Sequence, residues 1–271
     1  MTHLKNIAFT TILAFVATSV SASGDTEWSY SGDTGPEHWA SLSEEFATAI
    51  GNQQSPIDIE LNKIAIIKPQ NLIIRYEDGD FRGVYNGHAI QITPQNKEDN
   101  YVLLGGEKYT LQQFHFHTPS ENQLDNHSSS LEVHFVHEDN RGRLAVIAVL
   151  FDKGKPNRPI NDITRAIFTS GAHQETALPD PSEITELPPK NHEIALPAPF
   201  KITGLLPEKK DNIQFPGSLT TPPTKEGVTW IVMLNKQRLL TSDLTGFEGV
   251  MGKNNRPIQP TGARVLVKYK D

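Results

Sequence analysis

In the run Gln112-Gln113-Phe114-His115-Phe116-His117, histidine alternates with phenylalanine. A strand sends successive side chains to opposite faces, so both imidazoles project from one face and both phenyl rings from the other. A second segment, Leu131-Glu132-Val133-His134-Phe135-Val136, is patterned the same way, with Leu131, Val133 and Phe135 on one face and Glu132 and His134 on the other. Antiparallel pairing of the two strands would set His134 opposite the first two rings, and three imidazole nitrogens would converge. A single histidine is more often a packed or solvated side chain than a ligand; the coincidence of three on one sheet face is what favours a metal. Three neutral nitrogens suit Zn²⁺ with a fourth position left open, the arrangement of a catalytic and not a structural zinc. Gln113 and Glu132 each precede a candidate ligand by two residues on the same face. Their side-chain oxygens can accept the ligand's other N–H and fix its tautomer.

Composition narrows what such a site can be. The chain has 271 residues, enough for a substantial core in one large domain or two small ones. It contains no cysteine, which removes thiolate nucleophiles, disulfides and sulfur-ligated metals together, while its 10 histidines keep an imidazole site open. Its 25 Lys+Arg against 32 Asp+Glu give a formal charge of −7, which offers no basic surface for a phosphate backbone and argues against nucleic acid as a partner. Residues 1–22 read as a secretory signal peptide: Lys5, an apolar run from Ile7 to Val16, and small residues before a cleavage point near Ala22. That leaves 23–271 as the mature domain, exported to the periplasm or secreted, with no membrane anchor after cleavage.

The elements that must carry the histidines are mostly strands. Period-two or apolar segments run over 72–76, 89–93, 101–104, 111–117, 131–137, 144–151, 229–234 and 265–269, separated by turn residues such as Asn86-Gly87 and Gly105-Gly106. Helical patterning is confined to 161–168 and 242–248. The expected fold is mainly β (α+β): one domain on a large, central, twisted and mostly antiparallel sheet with a few short surface helices. The proline-rich stretch 178–199 is expected to be a long loop within that domain, because the motifs on either side of it need one another.

Those motifs resemble the α-class carbonic anhydrases, in particular their exported bacterial members. Trp28-Ser-Tyr30, Gly35-Pro-Glu-His-Trp39, Gln54-Ser-Pro-Ile-Asp58, Asn86-Gly-His88, the Phe-His-Phe-His run, Pro119-Ser-Glu-Asn122, Glu132-Val-His134, Pro216-Gly-Ser-Leu-Thr-Thr-Pro-Pro223 and Trp230 occur in the family's order. They span nearly the whole mature chain. The resemblance implies reversible zinc-dependent hydration of carbon dioxide to bicarbonate and a proton, by attack of zinc-bound hydroxide. It assigns His115, His117 and His134 as zinc ligands, Gln113 and Glu132 as their outer partners, and a backbone carbonyl near Asn254 as the remaining one. It makes Thr220 the residue that orients the nucleophile while donating to Glu121, and His88 the proton shuttle. Val136, Val146, Leu219, Val228, Trp230 and Thr221 would form the substrate pocket, and Tyr30, Asn86 and Gln91 the water network.

The same resemblance is compatible with a homodimer. Relatives that have lost ligands make an acatalytic binding or interaction protein the alternative, and a histidine-ligated metallohydrolase is weaker still for want of an extra carboxylate base. The sequence departs from many exported relatives in one respect: they carry a disulfide between a position near Ala49 and the one held here by Thr224. Without it, the loop around Thr224 is expected to be held by packing alone. His38, His127, His137, His173 and His192 are expected to be outside the site.

Overall fold

The computed structural model describes residues 26–169 and 189–271; residues 1–22 and the first part of the proline-rich stretch lie outside them. The strands are β1 (Asp58–Ile59), β2 (Ile66–Pro69), β3 (Leu72–Arg75), β4 (Phe81–Tyr85), β5 (Ile90–Pro94), β6 (Tyr101–Leu104), β7 (Glu107–His117) and β8 (Gln123–Leu124). After them come β9 (His127–Ser128), β10 (Leu131–Glu138), β11 (Leu144–Lys153), β12 (His192–Ile194), β13 (Asn212–Ser218), β14 (Glu226–Met233), β15 (Gln237–Leu239) and β16 (Val267–Lys270). Three α-helices accompany them among the described residues: α1 (Trp39–Leu42), α2 (Arg158–Thr169) and α3 (Thr241–Met251).

Thirteen strands form one sheet, in the order β12-β4-β5-β7-β10-β11-β14-β13-β16-β2, with β15 beside β11 and β3 reached through β6 on β7. Pairing is antiparallel except where β14 and β15 meet β11 and where β2 meets β16. A small second sheet joins β1, β8 and β9. The proline-rich stretch does not end the domain, but neither is it loop throughout: His192–Ile194 within it form β12, which pairs with β4 of the large sheet. Sequence patterning missed the short strands β1, β8, β9, β12 and β15, and also β2, β4 and β13. In β13, Asn212, Gln214, Pro216 and Gly217 obscure the apolar alternation, yet Ile213 and Phe215 are buried between β14 and β16.

The period of two separates two cores across the central strands. Phe114, Phe116, Val133, Phe135, Ile147, Val149 and Ile231 belong to the larger one. It is closed by α2 through Ile160, Ile163 and Ile167 and by α3 through Leu244, Phe247 and Val250, with helical spacing. Phe247 lies 4.8 Å from Phe116, centroid to centroid, which places α3 behind the Phe-His-Phe-His segment. Val146, Ala148, Val228, Trp230 and Val232 belong to the smaller core on the opposite face, with Val136 and Leu219 packed against it. Helices and the larger core thus back the sheet on one side, and the histidine face is free to line a site. Burial at this scale, about 25 cal/mol per Å² of apolar surface, is what holds the strands in register.

Candidate metal centre

The register of β7 and β10 aligns the three rings. His134 stands opposite His115 and Glu132 opposite His117, while Phe116 faces Val133 and Phe114 faces Phe135 on the other side. The next strand, β5, sets Gln91 opposite His115. One candidate ligand atom from each of His115, His117 and His134 lies within 4.8 Å of the others, and ring centroids are separated by 4.5–5.4 Å. A bulge falls between Val136 and His137. His137 is turned into the larger core, where its Nδ1 lies 3.2 Å from Ala145 O and its Nε2 2.6 Å from the Tyr76 hydroxyl.

Behind each candidate ligand an oxygen stands close to one ring nitrogen. His115 Nδ1 is 2.9 Å from Gln113 Oε1, and His117 Nδ1 is 2.7 Å from Asn254 O. His134 Nε2 lies 2.9 Å from Glu132 Oε1. Glu132 is in turn fixed by backbone N–H groups of Glu121 (2.7 Å) and Asn122 (2.8 Å) and by Asn122 Nδ2 (2.7 Å). The remaining nitrogens are Nε2 of His115, Nε2 of His117 and Nδ1 of His134. His117 Nε2 is buried with no hydrogen-bond partner, an expensive omission unless a ligand completes it. Burial, with the neighbouring rings adding to it at His115 and His134, lowers the pKa of all three, so they present lone pairs at neutral pH. The donor set, neutral nitrogen without sulfur, matches zinc.

Glu121 sits beside these free nitrogens, its Oε2 3.5 Å from His117 Nε2 and 3.8 Å from His134 Nδ1. Its Oε1 accepts the Arg256 N–H at 2.8 Å. Burial raises the Glu121 pKa, opposed by that N–H and by the neighbouring Thr220 side chain, while its Oε2 is buried with no hydrogen-bond partner. Val136, Val146 and Trp230 lie level across β10, β11 and β14, and Val228 is one step along β14 beside Leu144. The Trp230 ring meets His134 edge-on at 4.8 Å, and its Nε1 donates to Ser218 O at 2.9 Å. Gly217 permits that fit: a Cβ there would stand 2.3 Å from Ser55 Oγ and 2.6 Å from Trp230 Cδ1. Leu219 and Thr221 flank Thr220 and are half-buried.

His88 is half-buried in the Asn86–Ala89 turn, its ring stacked on Trp28 at 3.8 Å and 11°. Burial first, and then the charge of Lys190, lowers its pKa. Asn86 Oδ1 accepts from the N–H groups of His88 and Ala89. The Tyr30 hydroxyl is buried without a partner, and burial followed by the Glu121 charge raises its pKa.

The loop around Thr224 is not held by packing alone. Thr48 Oγ1 donates to Pro223 O at 2.5 Å, and Gln54 Nε2 reaches Thr224 O (3.2 Å) and Glu226 Oε1 (3.1 Å). Arg256, a buried guanidinium over the Trp39 ring, bonds Gln54 Oε1 (2.7 Å), Ser55 O (2.8 Å) and Ala49 O (3.0 Å). Polar contacts therefore join the two places that the disulfide joins in relatives. Neither the role of Arg256 nor the Trp28–His88 stack has a local sequence signal, because both depend on segments distant in the chain.

A mostly antiparallel sheet with three imidazoles converging on one face, each backed by a fixed oxygen, defines a mononuclear metal enzyme of the histidine-ligated type. The family model described as eukaryotic-type carbonic anhydrase matches residues 34–270. A carbonic anhydrase of Klebsiella pneumoniae is 35% identical over 245 residues, covering 90% of this chain and 91% of that one. The solved α-carbonic anhydrase of Thermovibrio ammonificans, in complex with sulfanilamide, superposes with a TM-score of 0.77 at 36% identity, covering 91% of this chain and all of that one. Dioscorin complexed with ascorbate is similar at a TM-score of 0.78 and 26% identity, over 90% and 98% of the two chains. The chain belongs to the α-carbonic anhydrase family, whose members are zinc enzymes, and it is an enzyme of carbon dioxide hydration.

Proposed function

We propose that His115, His117 and His134 hold the zinc through Nε2, Nε2 and Nδ1, and that the residues around them divide the work of hydrating carbon dioxide. Bound zinc would supply a Lewis acid that makes water nucleophilic near neutral pH, chemistry for which carbonic anhydrase is itself the reference example. Gln113, Glu132 and Asn254 O hold the three tautomers in which the free nitrogens face one point. In this reading Thr220, whose side chain neighbours Glu121, gives its proton to that carboxylate, so its oxygen can only accept; it selects the nucleophile's proton-bearing orientation and aims a lone pair at the substrate carbon. Arg256 N–H keeps Glu121 in place for that contact.

Carbon dioxide has no strong donor or acceptor, so an apolar wall suits it and lets charged bicarbonate leave. Val136, Val146, Leu219, Val228 and Trp230 supply that wall, with Thr221 at its edge. His88 carries the released proton toward solution, and Tyr30, Asn86 and Gln91 support the waters between it and the centre. The observation that carries this reading is the buried, unpartnered His117 Nε2 in a cluster of three imidazoles whose ligand atoms lie within 4.8 Å of one another.

Stopped-flow carbon dioxide hydration, with metal content measured on the same sample, tests it. One zinc per chain and activity that disappears on chelation and returns with zinc are expected. A rate equal to buffer alone in zinc-replete protein would leave the acatalytic binding protein as the better reading. Residues 1–22 are proposed to be removed on export to the periplasm or medium, which N-terminal sequencing of the mature protein checks. No helix among the described residues is long and apolar enough to cross a membrane. Self-association as a homodimer is the corresponding proposal for oligomeric state, checked by sedimentation.

A further inference from the structure

Two turns meet beside His88. In one, Asn86 Oδ1 caps the His88 and Ala89 N–H groups at 2.9 and 2.8 Å, and Asn86 N–H bonds to Ala89 O at 3.1 Å. The other leads into β12: Asn191 N–H donates to Tyr85 O at 2.7 Å and His192 N–H to Pro189 O at 3.0 Å, with His192 paired to Tyr85 of β4. Residue 190 is thereby held across from residue 87. A Cβ on Gly87 would lie 3.3 Å from Lys190 Cγ and 3.4 Å from its Cδ, and the glycine also has φ +94°. The lysine stem therefore runs along the backbone of the residue that precedes the proposed shuttle. Its exposed cation stands in a chain of formal charge −7.

We propose that Lys190 is a positioning residue for proton release: its stem, seated on Gly87, sets its ammonium within electrostatic reach of His88 and opposes a lasting positive charge on the ring. A proton carrier must lose its proton as readily as it gains one, and an acidic protein tends to retain an imidazolium. A local cation offsets that tendency. The other groups placed against His88 are uncharged: Trp28 covers one ring face, Asn86 caps the turn, and Asn254 Nδ2 donates to His88 O at 3.1 Å. Partial burial acts on the ring in the same direction as the lysine. The inference rests on the reading of His88 as the proton carrier.

The test is a proton NMR titration of the His88 ring in the zinc-loaded full chain, the resonance being assigned by its loss in His88→Ala. Lys190→Gln should raise the midpoint by roughly half a pH unit and Lys190→Glu by roughly one unit, as expected for a nearby, partly screened charge, and added salt should shrink the difference. Turnover in dilute buffer should move its pH profile upward in step. Midpoints that agree within about 0.1 pH unit in all three proteins overturn the role of Lys190. If the midpoints move but His88→Ala keeps full turnover in dilute buffer, the contact is real but carries no proton traffic, and the proposal falls with the shuttle assignment instead.

Discussion

His137 is the histidine whose chemistry the structure fixes most tightly outside the metal centre, and it should make the protein acid-sensitive. It is fully buried in the larger core. Its Nδ1–H donates to Ala145 O, which leaves Nε2 as the lone pair that accepts the Tyr76 hydroxyl at 2.6 Å. Burial lowers its pKa to about 4 from 6.5, against smaller opposing effects of backbone hydrogen bonds at Ala145 and Phe135. The folded state thus holds this ring neutral where the unfolded chain would bind a proton. Stability from this group is complete above about pH 6.5, declines as pH falls from there, and declines no further below about pH 4. The drop of about 2.5 pKa units corresponds to about 3 kcal/mol in full, of which about 1 kcal/mol is lost near pH 5.5 and between about 2 and 3 kcal/mol near pH 4.5. Urea unfolding of metal-free wild type and His137→Gln, compared at each pH, isolates the contribution of this ring, because the other titrating groups are common to both proteins. The variant should be less stable near pH 8, and the gap should close by those amounts on acidification. A gap that stays constant from pH 8 to pH 4.5 would refute the reasoning.

Three other perturbations act on the site. His134→Ala removes a ligand and should reduce bound zinc well below one per chain and carbon dioxide hydration by more than about a hundredfold, read by metal analysis and stopped flow. His88→Ala should keep its zinc but lose about ten- to a hundredfold of turnover in dilute buffer, with recovery on adding imidazole; undiminished turnover there would remove His88 from the mechanism. Gln54→Leu leaves the buried Arg256 guanidinium and Thr224 O without their shared partner. It should cost about 2–3 kcal/mol in urea unfolding, a loss that an unchanged midpoint would disprove.

What was legible in the sequence is what period-two patterning can express. His115, His117 and His134 could be assigned to one face because strands β7 and β10 are each continuous through their histidines and the bulge lies beyond Val136. The same parity excluded His137 from that face. β13 was illegible for the opposite reason: its polar and glycine positions serve the neighbours, Gln214 bonding Asn71 and Gly217 admitting Trp230, so its sequence reports those contacts and not its own strand geometry.

The expectation that the Thr224 loop rests on packing failed on the same principle at longer range. An absent cysteine pair says that no covalent bond joins the two places; it says nothing of what else joins them. Arg256, about two hundred residues from Ala49 in the chain, fills that role with a planar donor fork that bonds Gln54, Ser55 and Ala49 at once, while its own backbone N–H holds Glu121. The clasp and the hold on Glu121 thus share one residue. A disulfide would constrain the loop alone, whereas here Arg256 touches both the segment around Ala49 and the Glu121 carboxylate. Loop stability and nucleophile orientation should accordingly fail together in Gln54→Leu.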